Sequence, residues 1–172
     1  VTKEWAWQLL NSHFKICRSP KSFNSQIGVP LSLWQLAPQH NLALIETGIS
    51  QPGEMQRLQE MVKPQGGIFT NIGSAHGENF KNQQQKIQEK LSLFTASKFL
   101  IYQKNHDFLS KEIEAFAGSR SLELISWSTT DPAANLFISA VKEAPKTWQA
   151  KFKGQASFVF SFPYLSKILF EQ

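Results

Sequence analysis

The sequence predicts an α/β fold with a mostly parallel sheet flanked by helices and an antiparallel extension near the C-terminus. Three observations predict it. Helix-spaced and short apolar segments alternate as far as Trp127, the pattern of parallel strands joined by crossover helices. Two of the short apolar runs end in polar, metal-capable residues: Leu42-Ala43-Leu44-Ile45-Glu46, and Gly67-Ile68-Phe69 followed by Thr70-Asn71-Ile72-Gly73-Ser74-Ala75-His76. In open α/β sheets the crevice beyond the carboxyl ends of the strands is where ligands bind. After Asp131-Pro132 the pattern changes to short apolar runs separated by tight polar loops, as antiparallel hairpins require.

The elements follow in order. Trp5, Leu9, Leu10 and Phe14 recur at near-helical spacing and predict a helix from Lys3 to Phe14. Lys15 to Gln26, with Pro20 and several Ser and Asn residues, reads as a loop. Gly28-Val29-Pro30 opens a short helix carrying Leu31, Leu33, Trp34 and Leu36. A strand over Leu42 to Glu46 is followed by a helix from Pro52-Gly53-Glu54 to Val62, a turn at Pro64 to Gly67 and a strand from Ile68 to Asn71. A helix around Ile87, Leu91 and Phe94 precedes the strand Phe99 to Tyr102, the helix Phe108 to Phe116 and the strand Leu122 to Trp127. Leu136 to Val141, Trp148 to Phe152 and Phe158 to Phe162 are the three later strands. The Leu, Trp and Phe residues of the helices read as core.

A chain of 172 residues, 41% hydrophobic and 12% aromatic, suits one domain with a sizeable core. The 18 Lys and Arg against 13 Asp and Glu leave a net charge of +5, but they are spread along the chain, which disfavours a nucleic-acid-binding stripe. Lys15, Arg18 and Lys21 form one loose cluster, either a local attraction for a phosphorylated ligand or an ordinary solvated loop. Cys17 is the sole cysteine, so an internal disulfide and a cysteine-based zinc cluster are both excluded, and a reducing cytoplasm is the expected compartment. No stretch approaches the ~20 apolar residues of a membrane span. The opening Val1-Thr2-Lys3-Glu4-Trp5 resembles neither a signal peptide nor a natural start, and reads as a cut within a longer protein.

Glu46 at a strand end can bind a divalent cation such as Mg²⁺, which prefers hard oxygen ligands; equally, it can cap a helix or pair with a lysine. His76 can be a ligand or an acid-base group, or a hydrogen-bonded loop residue. Asn71 can orient a phosphate or satisfy its own turn. Lys90 falls on a helix, where most lysines are simply solvated. No HExxH, CxxC, GxSxG or GxGxxG pattern occurs, so nucleophilic catalysis by Ser or Cys lacks support.

Four segments carry a family resemblance by their order and spacing: Ser22-Phe23-Asn24-Ser25-Gln26-Ile27-Gly28-Val29-Pro30, Ala43-Leu44-Ile45-Glu46-Thr47-Gly48 with Pro52-Gly53-Glu54, Thr70-Asn71-Ile72-Gly73 with His76, and Lys90-Leu91-Ser92-Leu93-Phe94. Together they resemble the central ATPase domain of the Mur ligases, most strongly from Val1 to Phe94. Within that family the likeness is to ligases that add D-alanyl-D-alanine to UDP-N-acetylmuramoyl-tripeptide, in the version fused to an alanine racemase.

The resemblance implies a P-loop-type fold, ATP and Mg²⁺ as cofactors, an acyl-phosphate intermediate and a place in peptidoglycan precursor synthesis. It implies Glu46 and His76 as Mg²⁺ ligands, and Lys90 as the lysine that the family carbamylates, turning a cation into an anionic oxygen ligand. Asn24, with Ser22, matches the loop facing substrate and phosphates, and Asn71 a nucleotide-side residue. It also implies that residues 1–172 are a fragment of the central domain, lacking the phosphate-binding loop ahead of Val1 and the C-terminal domain, and that the fragment alone binds ATP poorly and is inactive. Other readings are another Mur ligase, a folylpolyglutamate synthase-like ligase, or a non-catalytic interaction module.

Overall fold

A computed structural model describes residues 1–73, 77–140, 147–152 and 157–161, the last two stretches and residue 140 as backbone only. It divides into two compact units, 1–64 with 74–96, and 65–73 with 97–172.

In the first unit, helix α1 (Thr2–Leu10) leads to strand β1 (Ile16–Arg18), helix α2 (Gly28–Leu33), strand β2 (Leu42–Leu44) and helix α3 (Glu54–Val62). A 3₁₀ turn at Gly77–Asn79, helix α4 (Gln83–Leu91) and a second 3₁₀ turn at Ser92–Phe94 complete it. Strands β1 and β2 are parallel, with Ile16 opposite Leu42, Cys17 opposite Ala43 and Arg18 opposite Leu44. Strand β1 falls inside the stretch expected to be a loop. Three residues flanked by polar neighbours carry no readable periodicity, and the ladder with β2 makes the strand.

Each helix boundary has a local cause. Asn82 caps α4 by accepting the Gln85 N–H, and the Gln85 side chain in turn accepts the N–H of Lys81, the residue before the cap. Lys63, with φ of +44°, ends α3 in the left-handed conformation and Pro64 blocks its continuation. The buried face of this unit includes Val29, Leu58, Ile87 and Leu91, all with no exposed surface; each such aliphatic side chain contributes about 1.5–3 kcal/mol of burial. Not every helical apolar residue joins it. Trp5, Leu9, Phe14, Leu31, Trp34 and Leu36, expected in the core, are exposed, and α1 meets β1 and β2 through its Lys3 side instead.

In the second unit, strands β3 (Gly66–Phe69), β4 (Phe99–Gln103), β5 (Glu123–Ser128), β6 (Leu136–Ala140), β7 (Thr147–Phe152) and β8 (Ser157–Ser161) form a sheet in sequential order, with helix α5 (Asp107–Gly118) between β4 and β5 in the chain. The pairs β3–β4, β4–β5 and β5–β6 are parallel, whereas β6–β7 and β7–β8 are antiparallel. Leu100 on β4 and Ile113 on α5 are fully buried, so the crossover helix covers the sheet with its apolar stripe.

Candidate functional site

The carboxyl ends of β1 and β2 set the site. Beyond Arg18 the ladder continues for one bond, from the Ser19 N–H to the Leu44 carbonyl at 3.0 Å. The buried Ser19 hydroxyl then accepts the Glu46 N–H at 3.0 Å, fixing where the chain leaves β2. Asn24, in the loop after β1, donates its side-chain amide to Glu46 Oε1 at 3.3 Å, and its carbonyl accepts the Gly48 N–H at 2.7 Å. Sequence-expected residues Asn24 and Glu46 therefore meet, while Ser22 is exposed in the same loop and its carbonyl accepts the Asn24 N–H at 2.8 Å.

Lys3 is the residue the sequence did not single out. Its ammonium lies 3.5 Å from Glu46 Oε2 and 3.4 Å from Glu4 Oε1, and donates to the carbonyls of Ser19 at 2.6 Å and Lys21 at 2.5 Å. The Lys3 side chain is 7% exposed and that of Glu46 36%, so one side of the carboxylate is backed by a buried cation and another is open. Glu4 also pairs with Arg18, whose guanidinium stacks 3.8 Å from the Trp7 ring centre. Of the loose basic cluster, Arg18 and Lys21 line a cavity of about 380 Å³ together with Glu4, Gln35 and His40; the Arg18 charge is already paired.

A second set of contacts orders the helix that carries Lys90. Glu89 Oε1 accepts the Gly53 N–H at 2.7 Å and the Met55 N–H at 3.2 Å, capping α3 with a carboxylate from α4. At the same corner Glu54 accepts from the Ser50 and Gln51 N–H groups at 2.6 and 2.9 Å. Desolvation raises the Glu54 pKa, but these backbone bonds, the Ser50 hydroxyl and Arg57 outweigh it, leaving the carboxyl below its ordinary value. Lys90 is half-buried; desolvation first, then the charge of Lys86 one turn earlier, holds its amine below the usual lysine value. Such an amine offers more of the neutral form, the form able to attack carbon dioxide.

Asn71 belongs to the other unit, exposed shortly after β3. His76 lies outside the described residues, as do Ser74 and Ala75. Among the described residues no group of three His, Cys, Asp or Glu side chains gathers to hold a metal. Among the described residues two carboxylates flank Lys3 at the β1–β2 rim, Glu4, which also pairs with Arg18, and Glu46; as a hard donor with an open side Glu46 fits a single ligand of Mg²⁺.

Residues 2–166 match the Mur ligase middle domain. The UDP-N-acetylmuramoyl-tripeptide–D-alanyl-D-alanine ligase of Treponema pallidum is 32% identical over 95 residues, covering 55% of this chain and 21% of that protein. The protein of the same name from Borreliella burgdorferi is 37% identical over 90 residues, 52% of this chain and 19% of that one. The chain thus spans about a fifth of the length of these curated relatives. Among solved structures, a MurF from Acinetobacter baumannii superposes with a TM-score of 0.80 at 21% identity, over 98% of this chain and 36% of that one. The Thermotoga maritima MurF ligase in complex with ADP gives 0.75 at 20% identity, over 93% and 37%. At such identities the superpositions establish the fold. Among the described residues no helix is long and apolar enough to cross a membrane.

Proposed function

The chain belongs to the Mur ligase middle-domain family, and from that premise we propose that it is the ATP-using part of an amide ligase that joins D-alanyl-D-alanine to UDP-N-acetylmuramoyl-tripeptide in the cytoplasm. The family match over residues 2–166 carries this reading, and the meeting of Asn24 with Glu46 at a parallel-strand rim supports it. The substrate pair follows from the names of the relatives in Treponema pallidum and Borreliella burgdorferi, and the nucleotide from the ADP held by the Thermotoga maritima protein.

In this reading the peptide carboxylate attacks the γ-phosphorus of ATP and ADP departs. The amine of D-alanyl-D-alanine then attacks the acyl carbon, loses a proton and expels phosphate through a tetrahedral intermediate. Glu46, His76 and Lys90 in carbamate form would hold Mg²⁺, which would supply neutralisation of charge on the transferring phosphoryl oxygens; Asn71 would contact the nucleotide, and Ser22 with Asn24 would face the substrate. The Lys90 amine forms the carbamate by attacking carbon dioxide and losing a proton.

The test is phosphate release by a protein containing this chain, supplied with ATP, Mg²⁺ and UDP-N-acetylmuramoyl-tripeptide. Release is expected with D-alanyl-D-alanine and not with glutamate, and Glu46→Ala is expected to lower turnover at least about 100-fold. Glutamate-dependent release would assign a different ligase, and release indifferent to Glu46→Ala and to Mg²⁺ would remove the ligase reading.

A further inference from the structure

Lys3 holds its position through hydrogen bonds to two backbone carbonyls and forms ion pairs with two carboxylates. An ammonium has three N–H groups. The Ser19 and Lys21 carbonyls, at 2.6 and 2.5 Å, take two of them. The third has two candidate acceptors at nearly equal range, Glu46 Oε2 at 3.5 Å and Glu4 Oε1 at 3.4 Å. Glu46 is therefore the exchangeable partner: Lys3 can turn its third donor to Glu4 without leaving either carbonyl.

We propose that Lys3 is the resident counter-ion of Glu46, against which a divalent cation must compete when it binds that carboxylate. The inference rests on the reading of Glu46 as a metal ligand. Its physical content is a sign. A buried ammonium beside the carboxylate repels an incoming cation, and burial weakens the screening of that repulsion. Were Lys3 only a scaffold that orients Glu46, removing its charge would loosen metal binding; as a competitor, removing its charge tightens it.

The experiment is Mn²⁺ binding to a protein containing this chain, followed by electron paramagnetic resonance, for wild type, Lys3→Gln, Lys3→Arg and Glu46→Gln, with Glu46→Gln also combined with Lys3→Gln. Glutamine keeps N–H donors for the two carbonyls and removes the charge, whereas arginine keeps the charge. The expected result is affinity raised at least about fivefold by Lys3→Gln, held within about twofold by Lys3→Arg, and lost in both backgrounds with Glu46→Gln.

If Glu46→Gln abolishes binding while Lys3→Gln leaves it unchanged or weaker, the counter-ion inference fails and the metal-ligand reading stands. If Mn²⁺ binds irrespective of Glu46→Gln, or binds no variant, the metal-ligand reading fails and takes the inference with it. Should Lys3→Gln not fold, ¹⁵N spectra of the wild-type lysine side chains decide. The Lys3 signal is expected to move with Mg²⁺ on the same isotherm as the Glu46 carboxyl signal, and a Lys3 signal unmoved at saturation overturns the inference.

Discussion

Glu89 Oε1, on α4, accepts the backbone N–H of Gly53 at 2.7 Å, at the first turn of α3. Gly53 has φ of +83° and no side chain with which to cap the helix, so a carboxylate distant in sequence satisfies donors that a local Ser or Asp would ordinarily take. The negative charge also complements the positive end of the helix. Because the next residue on α4 is Lys90, the same contact orders the backbone of a candidate site residue. Glu89→Ala is expected to cost about 1 kcal/mol, with Glu89→Gln recovering part of it, as read from urea midpoints. An unchanged midpoint for Glu89→Ala would show that water serves these donors equally well.

Gly28 is required by a close approach. A Cβ there would lie 2.7 Å from Phe23 Cα and 2.8 Å from Phe23 carbonyl carbon, and backbone cannot swing aside as the tip of a side chain can. Gly28→Ala is expected to destabilise by about 1–3 kcal/mol, and to push the Phe23–Asn24 segment away, lengthening the bond from Asn24 to Glu46. Gly53→Ala is the comparison: nothing lies within 4 Å of its Cβ position, so the cost is the left-handed backbone alone, about 1 kcal/mol. Urea unfolding measures both, and the Asn24 side-chain amide signal should shift in Gly28→Ala only.

The amine of Lys90 has a pH signature. Burial, then the charge of Lys86, places its folded-state pKa below that of the unfolded chain. Between the two values the unfolded chain binds more protons, so stability rises with pH there. Below that window the charged amine is a constant penalty; above it both states are neutral and the penalty is gone. Lys90→Met removes the penalty together with the rise. Under carbon-dioxide-free conditions, wild type is expected to gain stability relative to Lys90→Met as pH climbs toward the ordinary lysine range, and parallel stability curves would refute this.

How far the sequence reached differs between elements. Alternating periods placed β4, α5 and β5 to within a residue or two, because each has enough residues to display its pattern. Strand β1 went unseen because Ile16, Cys17 and Arg18 are too few to show alternation, and only β2 reveals them. Glu46 stood out as an acid at the end of an apolar run, and Asn24 through the family resemblance. Lys3 did not stand out, since its meaning lies in long-range bonds to the two loops after β1 and β2, which no local spacing encodes. The exposure of Trp5 and Trp34 was equally invisible: an apolar helical stripe states that a partner surface is needed, not where it lies.

Two buried serines of the second unit are expected to respond in opposite ways. The fully buried Ser128 donates its hydroxyl to Asn105 Oδ1 at 2.7 Å and accepts the N–H groups of Asp131 at 2.8 Å and Thr130 at 3.1 Å. Ser128→Ala removes the acceptor of two backbone N–H groups and one of the donors to Asn105 Oδ1, which keeps the Thr129 N–H at 3.2 Å, and should cost about 1–2 kcal/mol. Ser110 on α5 is 5% exposed, and its hydroxyl oxygen has no hydrogen-bond partner among the described residues. Ser110→Ala removes an unpaired buried polar atom and keeps the helix, with alanine the better helix former, so stability should stay level or rise by up to about 1 kcal/mol. Chemical unfolding of the two variants side by side checks this. Equal losses would mean that the two hydroxyls are equally well bonded, and would overturn the assignment of Ser128 as the fastener of the turn after β5.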